Sequence, residues 1–424
     1  MVESVLESLD QRGLIASVTD REALAAHLAQ GTVTYYCGFD PSAASLHIGN
    51  LVQILTLRRL QQAGHRPLAL VGGATGLIGD PKQTGERTLN DPAVVASWTD
   101  RIRAQIEPFL DFGGTAGARM VNNLDWTAEL SAIDLLRGVG KHFRLGTMLA
   151  KETVARRLAS EQGISFTEFS YQVLQAMDFL ELRRRYGCSL QTGGNDQWGN
   201  LLAGVELIHK ADAAVAHAFT TPLITKADGT KFGKTETGTV WLDPALTSPY
   251  AFYQFWLNQD DRDVDGYLKV FTFRSLEEIA ALAEATAERP QERAAQKALA
   301  WDVTALVHGR TAAQGAADAA LALFGSGSLF ELDRPTLAAA VADLPRAGVD
   351  LTGGEVTVVD ALALTGIEKS KGAARRTLAG GGVYLNNAKV SDPDAVLTAE
   401  DFIHGQFALL RRGRKTLAVV ERLA

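Results

Sequence analysis

The sequence predicts an α/β fold: a parallel sheet covered by helices, then a small all-α unit, then a compact α+β unit at the C-terminus. Three observations carry this. Between about Thr32 and Trp241, short apolar runs of strand length alternate with amphipathic helical runs, the pattern of strand–helix–strand units in a parallel sheet. The glycines there gather where strands end, at Gly38, Gly72-Gly73, Gly76, Gly79 and Gly193-Gly194, and ligands of such folds bind at the carboxyl ends of strands. After Pro249 the spacing turns helical, and from Thr357 two helices precede strand pieces.

In chain order, strands are expected at Thr34–Phe39, Pro67–Val71, Ala118–Asn122 and Cys188–Thr192, with helices at Ile48–Ala63 and Gln197–His209. The helical part holds Ala251–Leu257, Leu276–Thr286 and one long Ala-rich run, Gln291–Thr311. Gly325-Ser326-Gly327-Ser328 opens a linker with some short structure. The last unit reads as helices Val358–Leu364 and Lys369–Leu378, Gly380-Gly381-Gly382, and strands Val383–Leu385, Phe407–Leu410 and Thr416–Val420. The implied boundaries are 1–245, 246–324, a 325–354 linker, and 355–424.

With 424 residues, 46% of them hydrophobic and 21% charged, the chain has the length and composition of an ordinary two- or three-domain globular protein. Its two cysteines, Cys37 and Cys188, lie in apolar strand-like segments and predict reduced core thiols. No zinc spacing exists, and no metal ligand is predicted. The N-terminus lacks a cationic-then-apolar signal, and no apolar run reaches about 18 residues. A cytoplasmic protein with no membrane partner is expected. The net charge of −7 weighs against nucleic acid, yet residues 355–424 carry ten Lys/Arg against eight Asp/Glu. The cations cluster at Lys369, Lys371, Arg375 and Arg376, and again at Arg411, Arg412, Arg414 and Lys415.

Five segments carry chemistry. The turn Phe39–Asn50 leads from a strand into a helix, whose first N–H groups and dipole favour anions. There Gly49 permits close approach, while His47 and Asn50 offer donors that need not be charged. Ser165-Phe166-Thr167-Glu168 reads as a capping box opening a helix on which Tyr171, Gln175 and Asp178 share one stripe. Gln191 to Gln197 is a strand ending in Gly193-Gly194, with Asp196 at a helix start to accept ribose hydroxyls. Gln191 and Gln197 add neutral polar groups, so the pocket suits an amino acid with a polar tip. Finally, Lys231-Phe232-Gly233-Lys234-Thr235 places two lysines three apart, able to clamp a polyphosphate. Val71–Asp80 is glycine-rich but lacks the P-loop lysine, and its Thr75 and Asp80 could hold an ammonium.

The ordered set Tyr36–Pro41, His47-Ile48-Gly49-Asn50, Val71–Asp80, Phe166–Tyr171, Gln191–Asn200 and Lys231–Thr235 resembles that of bacterial tyrosyl-tRNA synthetases, a class I aminoacyl-tRNA synthetase family. The likeness covers nearly the whole chain. It implies a Rossmann-like catalytic domain, an α-helical anticodon-side domain and a C-terminal S4-like RNA-binding domain. The implied reaction activates tyrosine with ATP, accompanied by Mg2+, and charges tRNA(Tyr). By the same resemblance Tyr36 and Asp178 bond the substrate phenol, while Tyr171, Gln175 and Asp80 take its ammonium, with Thr75 nearby. Gln191 and Gln197 steady the substrate. Gly38, Asp40, Ser42, His47, Gly49 and Asn50 face ATP, and Gly194 and Asp196 receive its ribose. Arg87, Lys231, Lys234 and Thr235 stabilise pyrophosphate, and the eight C-terminal cations contact RNA. A homodimer is implied, and no DNA partner. Asn50 replaces the second histidine of the family's HIGH motif and still donates through its amide. Ser42 keeps the hydroxyl of the usual threonine. In the loop 80–87, which departs most from the family, Lys82 is the residue whose equivalence is open. Tryptophanyl specificity on the same fold is the near rival, and the Tyr36/Asp178 pair speaks against it.

Overall fold

Thr34–Phe39 is buried along its length except at Gly38, which is why it reads as a continuous apolar run. A strand covered on both faces has no solvent side to alternate toward. The computed structural model describes residues 4–81, 85–230, 232–235, 238–325, 327–413 and 416–423. Among these, the larger sheet comprises β1 (Ser17–Val18), β2 (Thr34–Phe39), β3 (Arg66–Val71), β4 (Arg119–Asn122), β5 (Leu190–Gly194) and β6 (His217–Thr221), in the order β1-β6-β5-β2-β3-β4. The pairings among β2 to β6 are parallel, and only the short edge strand β1 runs antiparallel to its neighbour. From β2 the chain winds outward through β3 and β4, then returns to place β5 on the other side of β2. That reversal opens a crevice at the carboxyl ends of β2 and β5, where the register sets Tyr36 opposite Gln191.

Three helices complete the crevice. Ile48–Gln62 follows β2 and buries Ile48, Leu51, Leu55 and Leu60. Phe166–Tyr186 is buried on both sides: Met177, Leu180 and Leu182 join the core formed with Leu68, Leu207 and Ile208, while Tyr171 and Asp178 are buried as well. It ends at Gly187 in the left-handed region (φ 67°), a helix stop glycine adopts without strain. Trp198–Asp212 follows β5. Cys37 and Cys188 are both buried and free of disulfide, and burial pushes the Cys37 thiol up to about 12.

The chain divides into two compact units, residues 1–243 with 265–279, and residues 244–264 with 280–424. The 265–279 stretch joins the first unit through a cationic clamp. Buried Arg59 donates to the carbonyls of Lys269, Val270 and Thr272, and Arg12 donates to those of Lys269 and Arg274. These guanidinium groups satisfy carbonyls a helix end leaves open.

In the second unit Ser248 caps Pro249–Leu257, with Pro249 at the position where its missing N–H costs nothing. The expected single run 291–311 is instead two helices, Ala294–His308 and Arg310–Ala322, broken at Gly309 (φ 87°). A small hairpin of β7 (Lys234–Thr235) and β8 (Gly238–Thr239) belongs to the first unit. The C-terminal sheet runs β11-β10-β12-β13-β9, from β9 (Arg346–Val349), β10 (Val383–Leu385), β11 (Ala388–Lys389), β12 (Phe407–Arg412) and β13 (Thr416–Arg422). Residues 325–354 therefore differ from the expected linker. Helix Arg334–Ala340 packs Leu337 against Leu409 and Val419, and β9 pairs in parallel with β13. Long-range apolar burial recruited a segment whose local pattern was weak. No helix among the described residues is long and apolar enough to cross a membrane.

Candidate active site

At the floor of the crevice Tyr36 is 1% exposed, its ring 5.2 Å from that of Phe179, and its hydroxyl has no hydrogen-bond partner among the described residues. Beside it Asp178, 2% exposed, accepts from Trp126 Nε1 and Asn123 Nδ2, each at 2.9 Å. Burial raises the Asp178 carboxyl to about 7, even with these two donors opposing the shift. Burial and the neighbouring carboxylate raise the Tyr36 phenol well above its ordinary value, so it stays a neutral donor and acceptor. Gln175 Oε1, Gln191 Oε1 and Thr192 Oγ1 are likewise buried without partners. The Gln191 side chain shares the Phe179 side of the sheet with Tyr36, while Thr192, the next residue of β5, points to the opposite face. Buried polar atoms left without partners complete their hydrogen bonds only with a polar guest. Asn123 and Trp126 were missed by the sequence reading, although Asn123 directly follows the carboxyl end of β4.

Two turns along the helix from Asp178, Tyr171 donates to Asp40 Oδ2 at 2.6 Å, and Thr75 donates to Asp40 Oδ1 at 2.6 Å. Asp40, expected on the ATP side, is thus engaged by two members of the ammonium group. Gly72 makes room for it, since a Cβ there would lie 2.1 Å from Asp40 Oδ1. Asp80 accepts from Gln197 Nε2 at 3.0 Å and Asn200 Nδ2 at 3.3 Å, and Lys151 bonds Asn200 Oδ1 from behind. Burial raises both Asp40 and Asp80. Two acids that resist ionisation together favour a cation between them.

The expected capping box is only half made. Ser165 accepts from the Glu168 N–H at 3.3 Å, but the Glu168 carboxylate turns inward, accepting the Arg87 N–H at 2.7 Å and pairing with Arg157 at 2.9 Å. Tertiary partners outcompeted the local one.

At the crevice mouth His47 is the N-cap of Ile48–Gln62. Its Nδ1 accepts from Gly49 N–H at 3.0 Å, and Asn50 Oδ1 accepts from His47 N–H at 3.1 Å. A neutral imidazole accepting at Nδ1 carries its proton on Nε2. Asn50, with its oxygen occupied by the cap, retains its two amide protons as donors. A Cβ at Gly49 would meet the His47 ring at 2.8 Å, so a side chain there would displace the imidazole from its cap. Gly38 and Ser42 are exposed nearby in sequence, and exposed Asp196 lies against Gly194, where a Cβ would come within 2.6 Å of its Oδ1.

The lysine segment is tied to this turn. Ile48 N–H donates to Val240 O at 3.1 Å, Leu242 N–H donates to Leu46 O at 2.8 Å, and Gly233 packs on Ile48. Phe232 stands 4.8 Å from the Tyr267 ring and 5.3 Å from that of Phe271. Lys82 and Lys231 lie outside the described residues, as do the side chains of Lys234 and Thr235.

In the second unit Lys369, Lys371, Arg375 and Arg376 are exposed on and before helix Lys371–Ala379, with Lys371 paired to Asp360 at 2.8 Å. Arg411 corrects the expectation of an RNA-facing cation. It is 8% exposed, lies 4.0 Å over the Tyr384 ring and donates to Gly413 O. Strand alternation turns it toward the protein, where stacking replaces hydration. Arg412 is half-buried and pairs with Glu368 at 3.3 Å. Arg414 and Lys415 lie outside the described residues.

The family model of the class I tRNA synthetases (W and Y) matches residues 28–325, and that of the tyrosine–tRNA ligase SYY-like C-terminal domain matches 336–420. The chain is 62% identical over 418 residues to the tyrosine–tRNA ligase of Streptomyces avermitilis, covering 98% of each. It is 58% identical over 430 residues to that of Acidothermus cellulolyticus, covering 99% of each. Among solved structures, a C-terminally truncated Coccidioides posadasii mitochondrial tyrosyl-tRNA synthetase superposes with a TM-score of 0.66 at 35% identity, over 74% of this chain and 91% of that one. A tryptophanyl-tRNA synthetase from Encephalitozoon cuniculi shares the fold alone, with a TM-score of 0.54 at 12% identity over 78% and 89%.

Proposed function

The chain belongs to the tyrosyl branch of the class I aminoacyl-tRNA synthetases, and on that premise we propose how its residues divide the work. Its activity is that of a tyrosine–tRNA ligase, with ATP as co-substrate. The substrate carboxylate attacks the α-phosphorus of ATP, the bond to the β-phosphate oxygen breaks, and pyrophosphate leaves with the electron pair. A hydroxyl of the tRNA 3′-terminal adenosine then takes the tyrosyl group and releases AMP.

Tyr36 and Asp178 read the phenol. The observation that carries this is the buried, partnerless Tyr36 hydroxyl beside an Asp178 already held by two donors. A site of this kind rejects phenylalanine because its polar groups are then left unpaired, a behaviour for which tyrosyl-tRNA synthetases are themselves the reference case. Asp80, Gln175 and Tyr171 receive the ammonium, with Asp40 joining them as an acid that orients Tyr171. Gln191 and Gln197 steady the substrate. Gly38, Ser42, Gly49, His47 and Asn50 face ATP, and Gly194 and Asp196 take its ribose. Arg87, Lys231, Lys234 and Thr235 meet charge as it develops on pyrophosphate. Mg2+ enters with the ATP phosphates as part of the substrate. Among the described residues no three carboxylate, imidazole or thiol groups converge on a metal position.

Lys369, Lys371, Arg375 and Arg376 contact tRNA(Tyr) phosphates, with Arg412, Arg414 and Lys415 beside them. The protein works in the cytoplasm as a homodimer. Exposed apolar side chains at Ile133, Leu136, Leu145 and Phe166, the last 76% exposed, support an interface on the first unit. The test of activation is ATP–pyrophosphate exchange with each of the twenty amino acids. Exchange with tyrosine alone is expected, and equal exchange with tryptophan or phenylalanine would overturn the phenol-reading assignment.

A further inference from the structure

We propose that Glu168 and Arg157 are a buried positioning pair that holds Arg87 in place for pyrophosphate departure. This rests on the reading of Arg87 as a leaving-group contact. Glu168 had a local alternative, the backbone N–H of its own N-cap, yet its carboxylate is 2% exposed and directed inward. One oxygen accepts the backbone N–H of Arg87 at 2.7 Å, and the other pairs at 2.9 Å with Arg157, which is 1% exposed. Arg157 is fixed in turn by Nε donating to Gly163 O at 3.0 Å. Two charges are thus withdrawn from water to fasten one backbone N–H, an arrangement that apolar packing would supply more cheaply if stability alone were at stake.

What it fastens has little freedom left. Arg87 Nε donates to Asp80 O at 2.6 Å. Gly79, at φ 81°, leaves the space its side chain crosses, since a Cβ there would lie 2.4 Å from Arg87 Cδ. Arg87 is therefore held at its backbone by Glu168 and at its side chain by Asp80, with the remaining guanidinium nitrogens constrained in direction. Its charge lowers both the Asp40 and Asp80 carboxyls, so Arg87 borders the proposed ammonium site.

The experiment compares full-length wild type, Glu168→Gln, Arg157→Lys, Arg87→Ala and the double variant Glu168→Gln/Arg87→Ala. It measures the single-turnover rate of tyrosyl-adenylate formation per titrated active site and tyrosine affinity by equilibrium dialysis. Glu168→Gln is expected to slow adenylate formation about ten- to a hundredfold with tyrosine affinity unchanged, and the double variant to be no slower than Arg87→Ala. Arg157→Lys, which keeps the charge but loses the fork, is expected to slow the step less and reports on the pair if Glu168→Gln does not fold. A lowered unfolding temperature with an unchanged rate per active site would make the pair merely structural and overturn the proposal. Independent, multiplying losses in the double variant would overturn it too, because Glu168 would then act without Arg87. If Arg87→Ala alone reacts at the wild-type rate, the leaving-group reading of Arg87 falls first.

Discussion

The floor of the crevice and its mouth solve opposite problems. At the floor Tyr36 and Asp178 are buried, and the donors to Asp178 come from the segment directly after β4. At the mouth His47 is exposed at a helix start, tied through Ile48 and Leu46 to the segment that follows the lysines. Burial makes an unmet hydrogen bond expensive, so the floor can discriminate between amino acids that differ by one hydroxyl. At the mouth the exposed His47 imidazole is open to water, where a charged partner costs less than at the buried floor. On the proposed reading, selectivity lies at the buried floor and leaving-group stabilisation at the exposed mouth.

The largest expected effect tests the floor. Asp178→Ala should lower kcat/KM for tyrosine about 10³-fold, as a buried, doubly held acceptor is lost and Asn123 and Trp126 are left without it. Pyrophosphate exchange at wild-type rate would end the assignment. Next comes the mouth: His47→Ala should slow adenylate formation about 10²-fold while leaving tyrosine affinity intact. A rise in tyrosine KM instead would erase the division between the two regions.

A third prediction uses pH. Asp178 in the folded protein titrates near 7, against an ordinary value of 3.8. A raised carboxyl binds a proton that the unfolded chain has released, so its contribution to stability is full below 3.8 and is lost as pH rises through 7. Tyrosine binding runs the other way if the phenol donates to the carboxylate. Its affinity should fall about tenfold per pH unit below 7, read by equilibrium dialysis between pH 5.5 and 8.5. A flat profile would place the phenol's partner elsewhere. The smallest effect lies in the second unit: Arg375→Ala and Arg376→Ala should each raise the tRNA KM only severalfold and reduce its salt dependence, without touching pyrophosphate exchange.

Buried acids also separate what is legible in the chain from what is not. The bounds of β2, of helix Val358–Leu364 and of β10 coincide with those expected from pattern. Tyr171, Gln175 and Asp178 were visible as one stripe because a helix repeats every 3.6 residues wherever it occurs. That this stripe faces a crevice and not solvent does not follow from periodicity, since the opposite face is apolar too; the resemblance supplied it, and the burial of Tyr171 and Asp178 agrees. The use of Asn123 and Trp126, which meet Asp178 across more than fifty residues of chain, was not visible.

By itself the sequence determined the order of elements, the glycine-lined ends of strands, the identity of the motifs and so the family and its reaction. The order of elements and the strand-end glycines follow from backbone periodicity and local turn chemistry, which act over a few residues; the family and its reaction follow from the resemblance of the ordered motifs. Only the tertiary structure decided that Asp40 pairs with Tyr171 across 131 positions, that Glu168 abandons its own cap for Arg87 and Arg157, that Arg411 stacks inward, and that β9 completes the C-terminal sheet. Each of these replaces a local or solvent partner with a distant one. The exchange is favourable only after sheet order and helix packing have excluded water and brought the two groups to hydrogen-bonding distance.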